Sequence, residues 1–270
     1  MAPTVPKRDL TGAVVVVTGA AGGLGAAVAR RFDRSGARIA LLDIDGQRLS
    51  AVADTFVHAL PLVCDLTDAA ACNEAIAAVV DRFGGVDVLI NNAGMTHRSP
   101  FSETDPAVIR RVMEVNYFSA VNVTKAALPF LIERRGAIAV VSSVAGFAPV
   151  LGRTGYAGSK HALHGLFDTL RAELRPAGVD ITIIAPAFID TKMQDRAIGG
   201  DGALADHPQS RIGRKASPED VADRIYRAVE RRRRTAVIGL FGHLARVMVM
   251  ISPSCYERMM VRSLRSEFDR

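Results

Sequence analysis

Two side chains that can cooperate in proton transfer, Tyr156 and Lys160, lie four residues apart. In a helix this spacing puts both on one face, within reach of each other. A tyrosine has a pKa of about 10, and lowering that pKa to about 7 requires roughly 4 kcal/mol of preferential phenolate stabilisation. The lysine ammonium and a positively charged group on a cofactor could supply this stabilisation. The spacing alone is common, so the rest of the chain decides whether the pair is catalytic.

A glycine-rich segment, TGAAGGLG at residues 18–25, follows a predicted strand and precedes a predicted helix. Gly19 suits the tight turn, Gly23 lets the backbone approach a pyrophosphate, and Gly25 allows the helix to pack closely on the strand. The amino terminus of the helix then faces the negative charge of the phosphates. This context favours a dinucleotide-binding turn over a purely structural connection.

Asp43 ends the next predicted strand, 18 residues after Gly25. A carboxylate at this place accepts hydrogen bonds from a ribose 2′-OH and repels a 2′-phosphate. No lysine or arginine adjoins Asp43, and position 22 is glycine. We therefore expect NAD rather than NADP. Arg48, one helical turn further on, is interpreted as a solvated surface charge.

Short apolar, β-branched runs alternate with helix-like segments, which predicts a doubly wound parallel sheet of Rossmann type. The predicted strands are residues 13–18, 38–42, 58–63, 86–90, 137–141, 180–184 and 236–238, and the predicted helices are 24–34, 47–56, 69–83, 107–134, 155–175 and 218–233. Residues 1–239 are expected to form one α/β domain, with residues 240–270 as a helical extension packed on it. Residues 192–216, which include Gly213, are expected to be a mobile loop that closes over substrate.

Composition limits the remaining classes of protein. The 270 residues are 49% apolar and 23% charged, which suits a globular chain with a substantial core. Residues 1–210 carry 20 basic and 21 acidic side chains, whereas residues 211–270 carry 14 and 7. The positive excess is therefore local and does not predict nucleic-acid binding by the whole protein. Three scattered cysteines favour a reducing, cytoplasmic setting, and no Cys/His spacing predicts a metal site.

Neither a signal peptide nor a membrane-spanning helix is expected. The first ten residues contain no apolar core of the kind a signal peptide has. No stretch of about 18 apolar residues is free of charge, as a membrane-spanning helix requires.

Taken together, these motifs resemble those of the short-chain dehydrogenase/reductase family, from about Leu10 to Arg233. In the family's order they are TGAAGGLG (18–25), CDL (64–66), NNAG (91–94), the asparagine of VNYF (Asn116), SSVAG (142–146) and YAGSK (156–160). The combined match is far more specific than any one motif.

The resemblance implies four catalytic residues. Tyr156 would be the general acid/base, and Lys160 would lower its pKa and bind the nicotinamide ribose. Ser143 would polarise the substrate oxygen; Ser142 competes for this role, but Ser143 precedes Tyr156 by the spacing usual in the family. Asn116 would hold a water that links Lys160 to solvent.

The resemblance also implies a cofactor site. Asp65 would contact the adenine, Asn91 and Gly94 would line the cleft, and Asn92 would mainly tie strands together. Thr191 would bind the nicotinamide carboxamide, after a Pro186–Ala187 pair where the family often has Pro-Gly. The implied cofactor-binding set is Thr18, Gly19, Gly23, Leu24, Gly25, Asp43, Asp65, Leu66, Asn92, Ala93, Gly94, Tyr156, Lys160, Pro186, Ile189 and Thr191.

The activity expected from this resemblance is NAD(H)-dependent interconversion of a secondary alcohol and a ketone, by a homo-oligomer. An apolar pocket is expected from Met95, Phe147, Val150, Phe188, Met193 and the loop at 192–216, which favours a hydrophobic substrate such as a steroid or lipid. The alternatives are a dehydratase or epimerase of the same fold, or a protein that senses a dinucleotide without catalysis.

Several features carry weaker expectations. His97, after the NNAG strand, is a candidate substrate contact, whereas His161 and His164 are interpreted as helix-surface or packing residues and Cys64 as buried packing. Arg231–Arg234 is interpreted as a solvated helix end. The Met-rich, basic residues 240–270 suit core or oligomer packing, a membrane surface, or a lid over the substrate.

Overall fold

The computed structural model describes residues 6–205 and 215–265. Seven parallel strands form one sheet in the order β3-β2-β1-β4-β5-β6-β7. They are β1 (Val14–Thr18), β2 (Arg38–Asp43), β3 (Leu60–Val63), β4 (Val88–Asn91), β5 (Ala137–Val141), β6 (Asp180–Pro186) and β7 (Thr235–Ile238). The doubly wound, Rossmann-type architecture predicted from the sequence is confirmed.

Nine α-helices lie within the described residues. They are α1 (Gly23–Asp33), α2 (Gly46–Ala53), α3 (Ala69–Phe83), α4 (Pro106–Met113), α5 (Ser119–Glu133), α6 (Thr154–Leu174), α7 (Pro218–Glu230), α8 (Leu240–Ile251) and α9 (Pro253–Leu264). Helices α1, α2 and α7 pack on one face of the sheet, and α3, α5 and α6 on the other. Every side chain of β1, β4 and β5 is buried, because these central strands are covered on both faces.

The chain departs from the predicted helix at 107–134 in one respect. A π-helical turn, Glu114–Phe118, separates α4 from α5. Such turns insert one extra residue into a helix and often occur at functional sites. Here the turn contains the candidate catalytic residue Asn116, whose side chain is buried.

Strand order creates the place where a ligand can bind. The chain runs outward from β1 to β3, and then crosses back to place β4 on the other side of β1. Loops that leave the carboxyl ends of β1 and β4 therefore turn in opposite directions and leave a crevice between them. Thr18, Asn91, Val141 and Pro186 end the four strands around this crevice.

The last two helices continue from the carboxyl end of β7. Helix α9 packs close to Tyr156. Its side chains Tyr256, Met260 and Leu264 are buried against Val144 and nearby residues that follow β5. In contrast, α8 keeps an exposed apolar face, made of Leu240, Leu244, Val247, Met250 and Ile251. Within the described residues, no helix combines the length and apolar character needed to cross a bilayer.

The arginine run lies apart from this apolar face. Arg231–Arg234 precedes β7, whereas α8 follows it, and a four-residue strand is about 13 Å long. Arg232 is also bound to the body of the domain, where its Nη1 pairs with Asp180 Oδ2 at 2.6 Å. The interpretation of this run as a wholly solvated helix end is therefore wrong for Arg232.

Candidate active site

A cleft of about 460 Å³ opens at the carboxyl ends of the strands. Almost all residues singled out from the sequence line it: Gly19, Gly23, Leu24, Gly25, Asp43, Asp65, Leu66, Asn92, Ala93, Gly94, Ser143, Tyr156, Lys160, Pro186, Ile189 and Thr191. Thr18 and Asn116 do not line it and lie buried behind its wall. The fold thus gathers residues that are up to 172 positions apart, from Gly19 to Thr191, around one crevice.

The glycine-rich turn has the close contacts expected of a phosphate-binding turn. Gly19 has φ +65°, and a Cβ there would lie 2.8 Å from Ala93 Cα. A Cβ on Gly25 would overlap the carbonyl oxygen of Gly19. Gly22 is the N-cap residue of α1 and has no side chain to cap it, so the first N–H groups of the helix are open to a ligand. The residues present therefore fit a pyrophosphate.

Thr18 and Asn92 hold β1 and β4 together at the floor of the cleft. Thr18 Oγ1 donates to the carbonyl oxygen of Ile90 and accepts from the N–H groups of Asn92 and Ala93. Asn92 Nδ2 donates to Thr18 O at 2.9 Å. Asn91 points away from the cleft and donates to Thr124 Oγ1 at 2.9 Å. Neither Thr18 nor Asn91 lines the cleft, and both have supporting positions behind it.

The end of the cleft near β2 holds one carboxylate and one guanidinium. Asp43 Oδ2 accepts from the Ala21 N–H at 2.9 Å, and Oδ1 accepts from the Asp45 N–H. Arg48 also lines the cleft, where it donates to Ala21 O at 2.9 Å and pairs with Asp45 at 3.5 Å. The interpretation of Arg48 as a solvated surface charge is incomplete, because the partly exposed side chain also lines the cleft and binds the glycine-rich turn. Sequence spacing did not indicate this contact, which depends on how α2 packs beside the turn.

The candidate catalytic side chains meet where β5 ends. Lys160, 3% exposed, donates from Nζ to Val141 O at 2.9 Å. Its Nζ lies 5.7 Å from the centroid of the Tyr156 ring. Ser143 caps the short helical turn after β5 and interacts with the Tyr156 hydroxyl. The hydroxyl of Ser142 instead bonds His164 Nε2 at 3.0 Å, so Ser143 is the serine that faces Tyr156.

Burial affects both titrating groups of this pair. It raises the pKa of the Tyr156 phenol, while the hydrogen bond with Ser143 and the positive charge of Arg153 act to lower it. Burial lowers the pKa of Lys160 to about 8. The lysine is thus mostly an ammonium at neutral pH, and the chain alone leaves the phenol protonated. A positive charge in the cleft would favour the phenolate.

Asn116 connects the catalytic helix to the strand end of β4. Its Oδ1 accepts from the Met95 N–H at 2.7 Å, and its Nδ2 donates to Met95 O and to Ser159 Oγ. Ser159 in turn donates to the Tyr156 carbonyl oxygen at 2.8 Å. The side-chain amide is thereby engaged with protein groups, and it positions the turn that carries Met95 against α6.

His97 supports the catalytic helix from below and does not contact the cleft. It is fully buried, and its Nε2 accepts from the Gly155 N–H at 2.8 Å. Arg153 precedes α6 at the N-cap position and provides no side-chain cap. His97 instead accepts from one of the N–H groups in the first turn of the helix. The expectation that His97 contacts substrate is not supported by this position. Burial lowers its pKa to about 4 and keeps the ring neutral.

The expected substrate pocket is divided between two cavities. Met95, Phe188 and Met193 line the main cleft. Val150 and Phe188 line a second cavity of about 110 Å³, which also borders Ser143 and Tyr156. Phe147 lines neither and packs edge-on against His164. Helix α9 forms one wall of the second cavity, an arrangement that the sequence left open among several alternatives for residues 240–270.

The loop after β6 is anchored by packing and backbone hydrogen bonds in its described part, up to residue 205. Ile198 is buried against Val108 and Val112, and its carbonyl oxygen accepts from the Arg98 N–H at 2.8 Å. Gln194 Oε1, at the border of the two cavities, is buried without a hydrogen-bond partner among the described residues. Gly213, one of the glycines that suggested a mobile loop, lies outside the described residues.

The site contains no candidate metal centre in the described part of the chain, where no three His, Cys, Asp or Glu side chains converge. His161 Nδ1 donates to the carbonyl oxygen of Ala157 at 2.9 Å. Cys64 and Cys72 are free and buried next to each other, so Cys64 is a packing residue as predicted.

Comparison with known proteins agrees with this geometry. The family model for short chain dehydrogenases matches residues 13–199. The chain is 38% identical to dehydrogenase/reductase SDR family member 7B of Xenopus laevis, over 93% of this chain and 81% of that protein. It is 33% identical to the SDR family protein 7-like of Anopheles gambiae, over 92% and 82% of the two chains.

Two solved structures share the fold. A short chain dehydrogenase from Burkholderia cenocepacia in complex with NADP superposes with a TM-score of 0.81 at 25% identity, over 94% of this chain and 99% of that one. An alcohol dehydrogenase from Thermococcus sibiricus, complexed with 5-hydroxy-NADP, gives a TM-score of 0.72 at 25% identity, over 84% and 94%. With its sheet order, its glycine-rich turn and its Ser143–Tyr156–Lys160 cluster, this chain belongs to the short-chain dehydrogenase/reductase family of oxidoreductases.

Proposed function

We propose that the protein interconverts a secondary alcohol and a ketone with NAD(H) as cofactor. One observation carries the proposal. Ser143, Tyr156 and the buried Lys160 lie together at the end of β5, in the same cleft as the phosphate-binding turn after β1. No comparable observation supports a dehydratase, an epimerase or a protein that only senses a dinucleotide.

The chain's own residues suffice to orient the substrate and move its proton. The hydroxyls of Ser143 and Tyr156 would both bond the substrate oxygen and fix the carbinol carbon beside the cleft. A bound nicotinamide dinucleotide would supply the hydride chemistry and, when oxidised, a positive charge. Tyr156 would take the hydroxyl proton during oxidation and return it during reduction. Lys160, held by Val141 O, would favour the phenolate through its ammonium.

Asp43 supports NAD as the cofactor. Its carboxylate lies at the β2 end of the cleft, where it would bond ribose hydroxyls and repel a 2′-phosphate. Arg48 is a cation that lines the same cleft, and it is already engaged with Ala21 O and Asp45. The two solved relatives named above bind NADP or a derivative of it, so cofactor choice is a specific point for measurement.

An apolar substrate, such as a steroid or a lipid, is supported by the residues beyond Tyr156. Met95, Phe188 and Met193 border the cleft near the catalytic cluster. Such side chains favour an apolar ligand with one polar group held by Ser143 and Tyr156.

We also propose that the exposed apolar face of α8 rests on an anionic membrane surface. Arg246 lies on the same helix, and the chain has no acidic residue between Glu230 and Glu257. Apolar insertion and attraction to anionic lipid would then act together. Exposed Phe118 and Ile132, near α5, support a homo-oligomer, and the free cysteines support a reducing compartment such as the cytoplasm.

The proposal is tested by Tyr156→Phe, which removes only the hydroxyl that moves the proton. We expect kcat to fall by about 10²–10⁴-fold, since this is the usual contribution of a positioned acid/base. NAD(H) binding, measured by calorimetry, should stay unchanged. Tyr226→Phe, on α7 beneath Arg31, is the matched control and should retain wild-type turnover. A Tyr156→Phe enzyme within tenfold of wild type would reject Tyr156 as the acid/base.

A further inference from the structure

The second cavity, which we name the α9 slot, joins the candidate catalytic residues to the end of the chain. Ser143 and Tyr156 border it on one side, and Met259, Met260 and Leu264 of α9 border it on the other. A substituent on a carbon held by Ser143 and Tyr156 can therefore enter the slot directly. Gln194, Phe188 and Ala187 line both the slot and the main cleft, so the two spaces are continuous.

The lining of the slot is mostly apolar. Phe188 and Phe241 lie with their ring centroids 5.9 Å apart along one wall, and two methionines of α9 face the interior. Methionine side chains are flexible and polarizable, and they adapt to apolar ligands of varied shape. Arg153 and Gln194 also line the slot, but the other side chains suit a hydrocarbon chain better than a polar or charged group.

The size of the slot limits what it can hold. Pockets that enclose a whole drug-sized ligand measure about 300–1,000 Å³, whereas the slot measures about 110 Å³. It is thus large enough for one arm of a substrate and too small for a complete ring system. The remainder of the substrate would stay in the main cleft.

Helix α9 is anchored firmly enough to act as a wall. The Leu151 N–H donates to Met260 Sδ at 3.2 Å, and Tyr256 is 1% exposed. Met259 and Ser263 lie one turn apart and line the slot without forming these anchoring contacts. Met259 is also partly buried against the cluster that contains Tyr256 and Met260, so the thermal unfolding of each Met259 variant is compared with that of wild type.

We propose that the α9 slot is the subsite for an unbranched aliphatic arm attached to the reacting carbon. The inference rests on the proposed alcohol–ketone activity, and it assigns the substrate class to straight-chain secondary alcohols and ketones. We assign the limit on arm length to Met259, because it is a flexible slot-lining residue of α9 and is less buried than Met260.

The test is the reduction of straight-chain methyl ketones, from butanone to dodecanone, by the full-length enzyme. We expect kcat/KM to rise about fourfold per added methylene until the slot is filled, since each buried methylene contributes about 0.8 kcal/mol. Met259→Trp should end this rise at a shorter chain, and Met259→Ala should extend it. Val261→Trp, on the exposed side of α9, is the control and should follow wild type.

Two results would overturn the inference while the proposed function stands. One is a wild-type rate that does not depend on chain length. The other is active Met259 variants whose length profile equals that of wild type.

A binding measurement distinguishes a wrong assignment of the slot from a wrong assignment of the reaction. Calorimetry with dodecan-2-ol and the NADH-loaded protein, a pair between which no hydride can pass, measures binding to the slot without turnover. Weaker binding by Met259→Trp than by Val261→Trp supports the slot even if no ketone is reduced, in which case the proposed reaction is the part that fails. Equal binding by the two variants overturns the slot.

Discussion

Asp43 and Arg48 are two single side chains of opposite charge at the β2 end of the cleft. The carboxylate of Asp43 is held toward the turn by the Ala21 N–H. It would favour a free ribose hydroxyl, whereas a guanidinium would favour a phosphate in the same place. Cofactor preference is therefore decided at the scale of one residue.

We expect Asp43→Asn to reduce the preference for NAD over NADP by about tenfold, because a charge-assisted hydrogen bond and a repulsion are removed together. The measurement is kcat/KM with each cofactor. Asp54→Asn removes the same charge from the exposed end of α2 and should leave the ratio unchanged. A wild-type enzyme that already works better with NADP(H) would contradict the assignment, and loss of that activity in Arg48→Ala would then identify Arg48 as the phosphate ligand.

Single residues were predictable from the sequence where a motif fixes the backbone around them. Gly19 and Gly25 could be identified because their turn tolerates no Cβ, and Tyr156 and Lys160 because helical spacing brings them together. Arg48 was not, because its approach to Ala21 O depends on how α2 packs beside the turn. Sequence spacing contains no direct information on that packing.

Helix α6 depends on an element that is distant in the sequence. His97, in the loop after β4, accepts the Gly155 N–H at the start of the helix that carries Tyr156 and Lys160. A protonated imidazole cannot accept this bond. The His97 ring must therefore stay neutral to hold the start of α6, so its protonation at acid pH would destabilise the fold.

The pKa of His97 lies at about 4 in the folded protein and at its usual 6.5 in the unfolded chain. As the pH falls below about 6.5 the unfolded chain binds the proton first. Stability from His97 is thus complete above pH 6.5 and is lost between about 6.5 and 4, by about 3 kcal/mol.

We expect urea midpoints to record this loss in wild type and less of it in His97→Gln, which keeps an acceptor but does not titrate. His161→Gln, at an exposed position on α6, is the control and should behave as wild type does. Parallel pH profiles for wild type and His97→Gln would show that His97 does not carry the acid sensitivity.

Most elements were predictable because their patterns are local. Buried β-branched runs predict parallel strands, and helix α3 was predicted with its observed bounds because Asp68 caps it and Gly84 ends it. The supporting role of His97 was not predictable, since a lone histidine after a strand looks the same whether it faces a ligand or a helix end. The cavity walled by α9 was likewise left open, because apolar spacing in a terminal helix suits packing, membrane contact and a lid equally well.

At the scale of the whole molecule, the arginine run at 231–234 and the exposed apolar face of α8 lie on different segments. The net positive charge of the chain comes from residues 211–270, while the exposed apolar face lies on α8. Arg231–Arg234 lies at the other end of β7, whereas Arg246 lies within α8, and Arg258 and Arg262 lie on α9. Each basic residue close to an anionic surface contributes about 1 kcal/mol of attraction.

We expect the full chain to co-sediment with vesicles of phosphatidylserine and phosphatidylcholine at low salt, and less so at high salt. Leu244→Glu with Ile251→Glu should abolish this binding and leave turnover unchanged. Val57→Glu, at an exposed apolar position remote in sequence from α8, is the control. If the chain does not co-sediment at low salt, the membrane is not the partner of this face. A doubled mass in solution that the α8 variants reduce to that of one chain would identify a second copy as the occupant instead.

The π-helical turn between α4 and α5 has a consequence for how this stretch tolerates changes in length. Val108 and Leu131 are both buried, yet 23 residues of ideal α-helix would rotate them about 140° apart around the axis. One additional residue in the turn takes up about 100° of that rotation. The extra residue is thus absorbed within the turn, and α5 keeps the orientation that a regular helix with one residue fewer would give it. Deleting one residue from 114–118 would restore a regular helix and leave α5 in its present rotation relative to α4, since 22 residues of ideal helix also place the two positions about 40° apart. Such a deletion would disturb the turn that carries Asn116, whereas a deletion elsewhere in α5 would rotate the residues after it by about 100° relative to the sheet.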